Sequence, residues 1–65
     1  MVLAQEILKA NKRLMRSTER LRRFGTLSAP QPVVIMEMAN HRDIETRLSV
    51  LRSMLFEQTG IRNAA

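Results

Sequence analysis

The 65-residue chain is divided by residues 25–32, Gly-Thr-Leu-Ser-Ala-Pro-Gln-Pro, which hold both prolines and one of its two glycines. Glycine adopts left-handed backbone angles readily, and proline lacks the backbone N–H that a helix or sheet needs. Together they mark the one clear loop in the sequence. This loop is too short to act as a flexible linker, so the segments on its two sides are expected to pack against each other.

The segment before the loop has the periodicity of a single amphipathic helix. Apolar or small residues recur at alternating spacings of four and three, as along the contact face of a coiled-coil helix. Val2, Leu8 and Met15 lie beside this stripe and widen it. We predict a helix over about residues 2–24, with Gly25 as the left-handed residue that ends it. The predicted contact face consists of Leu3, Ile7, Ala10, Leu14, Ser17, Leu21 and Phe24.

The segment after the loop allows two interpretations, because residues 33–36 are Val-Val-Ile-Met and suit a β-strand by composition. In the preferred interpretation, one helix covers about residues 31–58. In the alternative, a short strand over residues 33–38 pairs with its copy in a dimer, and a shorter helix follows Asn40. Helical spacing continues through Asn40, and a lone strand has no second strand in this chain to pair with. The helical stripe consists of Val34, Met38, His41, Ile44, Leu48, Leu51 and Leu55.

The predicted end of the second helix is Gly60, where Ile61 would touch Phe56 in a Schellman ending. Residues 61–65 are expected to fray. Because a short loop makes consecutive helices antiparallel neighbours, the predicted fold class is all-α. It is an antiparallel two-helix hairpin in a single domain over residues 1–65, with a loop over residues 25–30.

The small size of the chain predicts association. A chain of this length buries only about 60% of the surface that its unfolded form exposes. Small proteins usually gain the missing stability from disulfides, a metal or a second subunit, and this chain has no cysteine. We therefore expect a homo-oligomer, a dimer or tetramer, in which two hairpins form a four-helix bundle. The predicted interface residues are Leu3, Ile7, Leu14, Leu21, Val34, Ile35, Met36, Met38, Ile44, Leu48, Leu51 and Leu55.

The positive charge of the chain is concentrated in the first predicted helix. Residues 2–24 hold seven of the eleven basic residues and two of the six acidic ones, whereas the remaining residues hold four of each. A row of arginines suits phosphates or an acidic protein surface. The sequence has no Trp or Tyr for base stacking and no nucleic-acid-binding signature. The candidate anion-binding residues are Lys9, Lys12, Arg13, Arg16, Arg20, Arg22 and Arg23.

The sequence indicates a non-enzymatic protein. It has no nucleophile beside a base, no Gly-rich phosphate loop and no cofactor motif, so we predict no catalytic residue and no cofactor. Glu37, His41 and Glu45 share one helix face at metal-ligand spacing, but His41 is the only histidine. We interpret it as an imidazole at the edge of the core and predict no metal.

The predicted function is a protein–protein interaction or regulatory adaptor module that acts through helical oligomerisation, with a protein partner. The alternative is a basic nucleic-acid-associated protein that makes non-specific phosphate contacts through its first helix. No apolar run approaches the roughly 18 residues of a membrane-spanning helix, so no transmembrane segment is expected. The lack of cysteine favours a cytoplasmic location.

Overall fold

The computed structural model describes residues 2–59, and it consists of two helices packed against each other. Helix α1 spans Leu3–Leu27 and helix α2 spans Gln31–Thr59. The helices are antiparallel: Ser17, nearer the turn, contacts Glu37, whereas Asn11, farther from it, contacts Arg52. No strand occurs within residues 2–59. The predicted all-helical hairpin is confirmed, and the alternative with a strand over residues 33–38 is wrong.

Helix α2 begins at Gln31, between the two prolines. The carbonyl oxygen of Pro30 accepts the backbone N–H groups of Val33 and Val34 at 3.0 and 3.2 Å. Pro32 lies in the opening turn, where its missing N–H leaves no helical bond unmade. The β-branched run at residues 33–35 therefore joins the helix. A helix satisfies its backbone locally, whereas a lone strand would leave its polar backbone groups unpaired.

Helix α1 continues three residues beyond the predicted bound at residue 24, so the loop shrinks from residues 25–30 to residues 28–30. Ser28, not Gly25, adopts the left-handed conformation, with φ 54° and ψ 49°. The N–H of Ala29 donates to the carbonyl of Phe24 at 3.0 Å, which is the closing bond of a Schellman ending. The residue before a proline avoids helical angles, so Pro30 stops the helix close to Ala29. The prediction that Gly25 ends the helix is wrong.

The contact face of α1 is the predicted one. Ala10 and Ser17 are buried, and the other five members are half-buried. Leu48 and Leu51 of α2 are buried against Ala10. The apolar side chains that pack around this small core are Leu3, Ile7 and Leu14.

The contact face of α2 differs from the predicted stripe at one position. Met38 is 54% exposed, and Glu37 occupies the place between Val34 and His41. Helical spacing predicted Met38 on this face, and a carboxylate is rarely buried unless it is paired. Glu37 is accepted there because α1 supplies hydrogen-bond donors opposite it. The observed contact face is Val34, Glu37, His41, Ile44, Leu48, Leu51 and Leu55.

Helix α2 reaches Thr59 at the end of the described residues. The predicted ending at Gly60, with its contact between Ile61 and Phe56, and the predicted frayed tail over residues 61–65 lie outside the described residues.

The observed end of α1 predicts the sign of a substitution at Gly25. An alanine Cβ at this position meets nothing within 4 Å, and alanine is better than glycine inside a helix. Gly25→Ala is therefore expected to raise the free energy of unfolding by about 0.5–1 kcal/mol. Urea unfolding followed by circular dichroism measures it.

Substitutions of Ser28 test its left-handed backbone conformation directly. Ser28→Gly should raise the free energy of unfolding by up to about 1 kcal/mol, since it removes the steric cost of a Cβ in the left-handed region. Ser28→Ala keeps that Cβ and should give no such gain. If Gly25 ended the helix instead, Gly25→Ala would destabilise the protein, and that result would contradict the observed ending.

Candidate functional site

A polar cluster centred on Glu37 crosses the contact between the two helices. The hydroxyl of Ser17, which is fully buried, donates to Glu37 Oε2 at 2.5 Å. Asn40 Nδ2 donates to the same oxygen at 2.9 Å. Arg20 binds both carboxylate oxygens, with Nε 2.8 Å from Oε1 and Nη2 3.2 Å from Oε2. The carboxylate thus accepts four hydrogen bonds, two of them from a guanidinium.

His41 belongs to the same cluster. Its Nδ1 lies 3.2 Å from Ser17 Oγ. Because the Ser17 hydroxyl proton goes to Glu37, Oγ acts as acceptor here, and we infer that Nδ1 of His41 carries a proton. Its Nε2 lies 3.9 Å from Glu45 Oε1, too long for a hydrogen bond. The imidazole therefore joins the contact between the helices through a serine hydroxyl.

Glu37, His41 and Glu45 share one helix face at metal-ligand spacing, but two of them are engaged in the contact between the helices. Glu37 is saturated by its four donors, and His41 bonds Ser17. Within residues 2–59, no three His, Cys, Asp or Glu side chains come together as metal ligands would.

Hydrogen bonds to its ionised form strongly lower the pKa of Glu37. The Arg20 guanidinium contributes most, followed by the Ser17 hydroxyl and the Asn40 amide, and the pKa falls from 4.5 to about 2. Partial burial acts in the opposite direction and is outweighed. Glu37 is therefore ionised throughout the neutral and mildly acidic range.

The contact between the helices separates two broad faces with different chemistry. Asp43 and Glu45 lie on different faces, because residues two positions apart in a helix are separated by about 200° around its axis. Asp43 lines a groove with Lys9 and Arg13 of α1, whereas Glu45 lines another groove with Leu14.

The first broad face, which we call the basic face, carries most of the predicted anion-binding residues. Two adjoining grooves run along it between the helices. One is lined by Glu6, Lys9, Arg13, Asn40, Asp43 and Arg47, and the next by Arg13, Arg16, Arg20 and Asn40 above Ile44.

The other predicted anion-binding residues do not line these grooves. Arg22 binds Glu19, with Nη2 2.6 Å from Oε1, and Arg23 Nε lies 3.7 Å from the same oxygen. Both contacts stay within α1. Lys12 is exposed on the outer side of the helix. The structure thus brings together Lys9, Arg13, Arg16 and Arg20, and it separates them from Lys12, Arg22 and Arg23.

The opposite broad face, which we call the apolar face, exposes large apolar side chains. Arg52 Nη2 lies 3.5 Å from Asn11 Oδ1, which places these two residues on the same side of the hairpin. Residues three or four positions from them along each helix share that side. So do residues whole heptads away, such as Met38, two heptads before Arg52, with Ile35 one turn before it. The exposed side chains of the apolar face are Leu8, Met15, Ile35, Met38 and Phe56.

The predicted interface residues fall into two groups. Ile35, Met36 and Met38 are exposed, with Met36 on the side that carries the basic face. The others lie in the contact between α1 and α2: Leu3, Ile7, Leu14, Leu21, Val34, Ile44, Leu48, Leu51 and Leu55. The two groups cannot be told apart in the sequence, because both follow helical spacing.

Comparison with protein-family models, with curated proteins and with solved structures finds no match to this chain. In the described part of the chain, neither helix has a stretch long and apolar enough to span a bilayer.

The lowered pKa of Glu37 predicts a loss of stability in acid. A carboxyl group with a depressed folded pKa stabilises the folded state above its unfolded pKa, and this contribution disappears as the pH falls through the folded pKa. For Glu37 the loss should extend from about pH 4.5 to about pH 2. Since the Arg20 side chain is 45% exposed, solvent screening keeps the effect on the order of 1 kcal/mol.

Thermal unfolding of Glu37→Gln at several pH values from 7 to 2 tests this expectation. Removing the ionised partner of Arg20 should lower the melting temperature at pH 7 and flatten its dependence on pH below 4.5. The control is Glu19→Gln, which removes an exposed carboxylate paired only within α1. A Glu37→Gln variant that keeps the wild-type acid transition would show that this cluster does not link the helices.

Proposed function

We propose that this protein is a non-enzymatic interaction module, of the regulatory or adaptor kind, that works through helical oligomerisation. In the proposed assembly, two copies pack their apolar faces together and form a four-helix bundle. The observation that carries the proposal is the group of five large apolar side chains exposed on one face. Beneath them, the buried apolar residues of the described chain are only Ala10, Leu48 and Leu51.

The distribution of apolar residues on α2 supports a further helical neighbour. Its first turns, residues 33–38, expose Val33, Ile35, Met36 and Met38 on different sides. A helix that is apolar around its circumference is normally buried on more than one side. Helix α1 covers one side of α2 only, so a second helix packed on the apolar face would cover Ile35 and Met38 and leave Met36 exposed.

The size of the apolar face fits a second copy of the chain. Two helices of this length present a face of about 38 by 20 Å, or roughly 760 Å². Stable protein interfaces bury about 800 Å² on each partner. One face-to-face contact between hairpins is therefore large enough for a stable dimer.

The charges favour the apolar face over the basic face for this contact. The apolar side of α2 carries Arg42, Glu45 and Arg52, whose signs are mixed. On α1, Arg22 lies one heptad after Met15 and is paired with Glu19, so a second copy can face these charges without large repulsion. The grooves of the basic face gather five cations, Lys9, Arg13, Arg16, Arg20 and Arg47, against Glu6 and Asp43. Pairing two basic faces would bring like charges together, which is destabilising.

Methionine substitutions on the two faces provide a matched test by sedimentation equilibrium. Met15→Gln with Met38→Gln removes two apolar side chains from the apolar face, and glutamine has nearly the same helix propensity as methionine. We expect the dimer to dissociate at least about tenfold more readily, which corresponds to about 1.4 kcal/mol. High salt should change the wild-type dimer little, because its contact is mainly apolar.

The control is Met36→Gln with Met54→Gln, which makes the same chemical change on the side of α2 that carries Asn40, Asp43 and Arg47. Its dimer should stay within about threefold of wild type, less than 1 kcal/mol. A wild-type protein that remains monomeric at every concentration would overturn the proposal. So would a control variant that dissociates more than the apolar-face variant.

A further inference from the structure

We propose that the basic face is a binding site for the phosphodiester backbone of a nucleic acid. The site is the groove formed by Arg13, Arg16 and Arg20 of α1 with Asn40 of α2, which we call the arginine groove. It lies on the face opposite the one proposed for self-association, so it is a second function that the dimer leaves accessible.

The three arginines form a row along one side of α1. Spacings of three and four residues keep them on that side, and the row from Arg13 to Arg20 extends over about 10 Å at 1.5 Å per residue. Lys9 and Arg47, in the adjoining groove, lengthen the positive surface. The row thus matches an extended chain of negative charges better than a single small anion.

In the described part of the chain, two of these arginines have no neutralising partner. Within residues 2–59, Arg13 and Arg16 form no ion pair and no side-chain hydrogen bond. Of the nearby carboxylates, Glu37 is held by Arg20 and Glu6 Oε2 lies 3.7 Å from Lys9 Nζ. Asp43 lines the adjoining groove together with Arg13, and the cations of the two grooves outnumber these acids. Arg16 and Arg20 lie one turn apart, and such like-charged pairs each cost a few tenths of a kcal/mol in a helix. Bound phosphates would relieve that repulsion.

Arg20 is held in place before any ligand arrives. Its Nε and Nη2 bind Glu37, which leaves Nη1 available, and the side chain is 45% exposed. A guanidinium fixed on one edge can still donate from the other, and its planar fork suits a phosphate. Because its orientation is set by the contact between the helices, binding costs less side-chain entropy there.

The chemistry of the groove indicates contact with the backbone and not with bases. It contains no aromatic side chain on which a base could stack, and the sequence has no nucleic-acid-binding signature that would present its Arg and Asn side chains to base edges. Binding should therefore be indifferent to sequence and strongly dependent on salt.

A lipid surface with anionic headgroups fits the site less well. A helix that binds at a membrane interface inserts an apolar face flanked by basic residues. The apolar side chains of α1 beside the arginine groove are packed against Leu48 and Leu51 of α2. The exposed apolar face lies on the opposite side of the hairpin, so one membrane surface could not contact both the arginine groove and that face.

The test is fluorescence anisotropy of a labelled duplex, about two helical turns long, titrated with the full chain over a range of salt concentrations. Duplex DNA and duplex RNA of one sequence are compared, together with vesicles containing phosphatidylserine. The groove variant is Arg13→Gln with Arg16→Gln; Arg20 is left unchanged because it also holds Glu37. The charge-matched control is Lys12→Gln with Arg23→Gln, which removes two exposed cations that line neither groove and lie outside the apolar face.

We expect the groove variant to bind the duplex at least about tenfold more weakly, with its log–log salt slope reduced by about 2. The control should stay within about threefold of wild type. The groove variant should also retain the wild-type sedimentation, so failure of self-association and failure of nucleic-acid binding are distinguishable. Equal losses in both variants would show attraction by net charge alone and overturn the proposal. Absence of duplex binding at low salt, or binding to vesicles in preference to either duplex, would also overturn it.

Discussion

The four hydrogen bonds accepted by Glu37 fix how the two helices align. An aliphatic contact face is permissive, because leucines and isoleucines at heptad spacing pack almost equally well after a shift of one heptad. A half-buried carboxylate allows only alignments that supply hydrogen-bond donors, since burying it without donors is costly. Only the observed alignment places the Ser17 hydroxyl and the Arg20 guanidinium opposite Glu37. A shifted hairpin would leave both the buried carboxylate and the buried hydroxyl unpaired, and this penalty selects one alignment from several that the apolar residues would allow.

The features that depend on local periodicity could be predicted from the sequence. The contact face of α1 and the existence of two helices follow from spacing and from the Pro-rich loop. Two features could not be predicted in this way. Gly25 is able to end a helix but is not required to, and Pro30, five residues later, determines where the turn falls. Glu37 lies in the contact because of side chains across the hairpin, and a stripe read along one helix contains no information about the donors on another.

The exposed apolar residues follow from the geometry of two helices. Each helix of a hairpin has one neighbour, which covers a narrow stripe, whereas the apolar residues of α2 extend well beyond such a stripe. Leu8 and Met15 lie beside the contact face of α1, and Ile35 and Met38 lie beside that of α2, on the same side of the molecule. Bundles whose helices have two neighbours bury three positions in each heptad instead of two. The apolar pattern of α2 is that of a bundle helix with two neighbours, and the single hairpin provides only one of them.

The two proposed surfaces depend on the same alignment of the hairpin. Arg20 belongs both to the cluster around Glu37 and to the arginine groove, so the contact that aligns α1 with α2 also positions a guanidinium for phosphate. If two copies pack through their apolar faces, their arginine grooves point away from each other on opposite sides of the bundle. Each groove alone offers few contacts and weak binding. A dimer with two outward grooves can hold two segments of nucleic acid, or two sites on a folded one, and the second contact then benefits from a high effective concentration. Self-association would thereby convert a weak electrostatic surface into a bivalent one without adding a residue to either site.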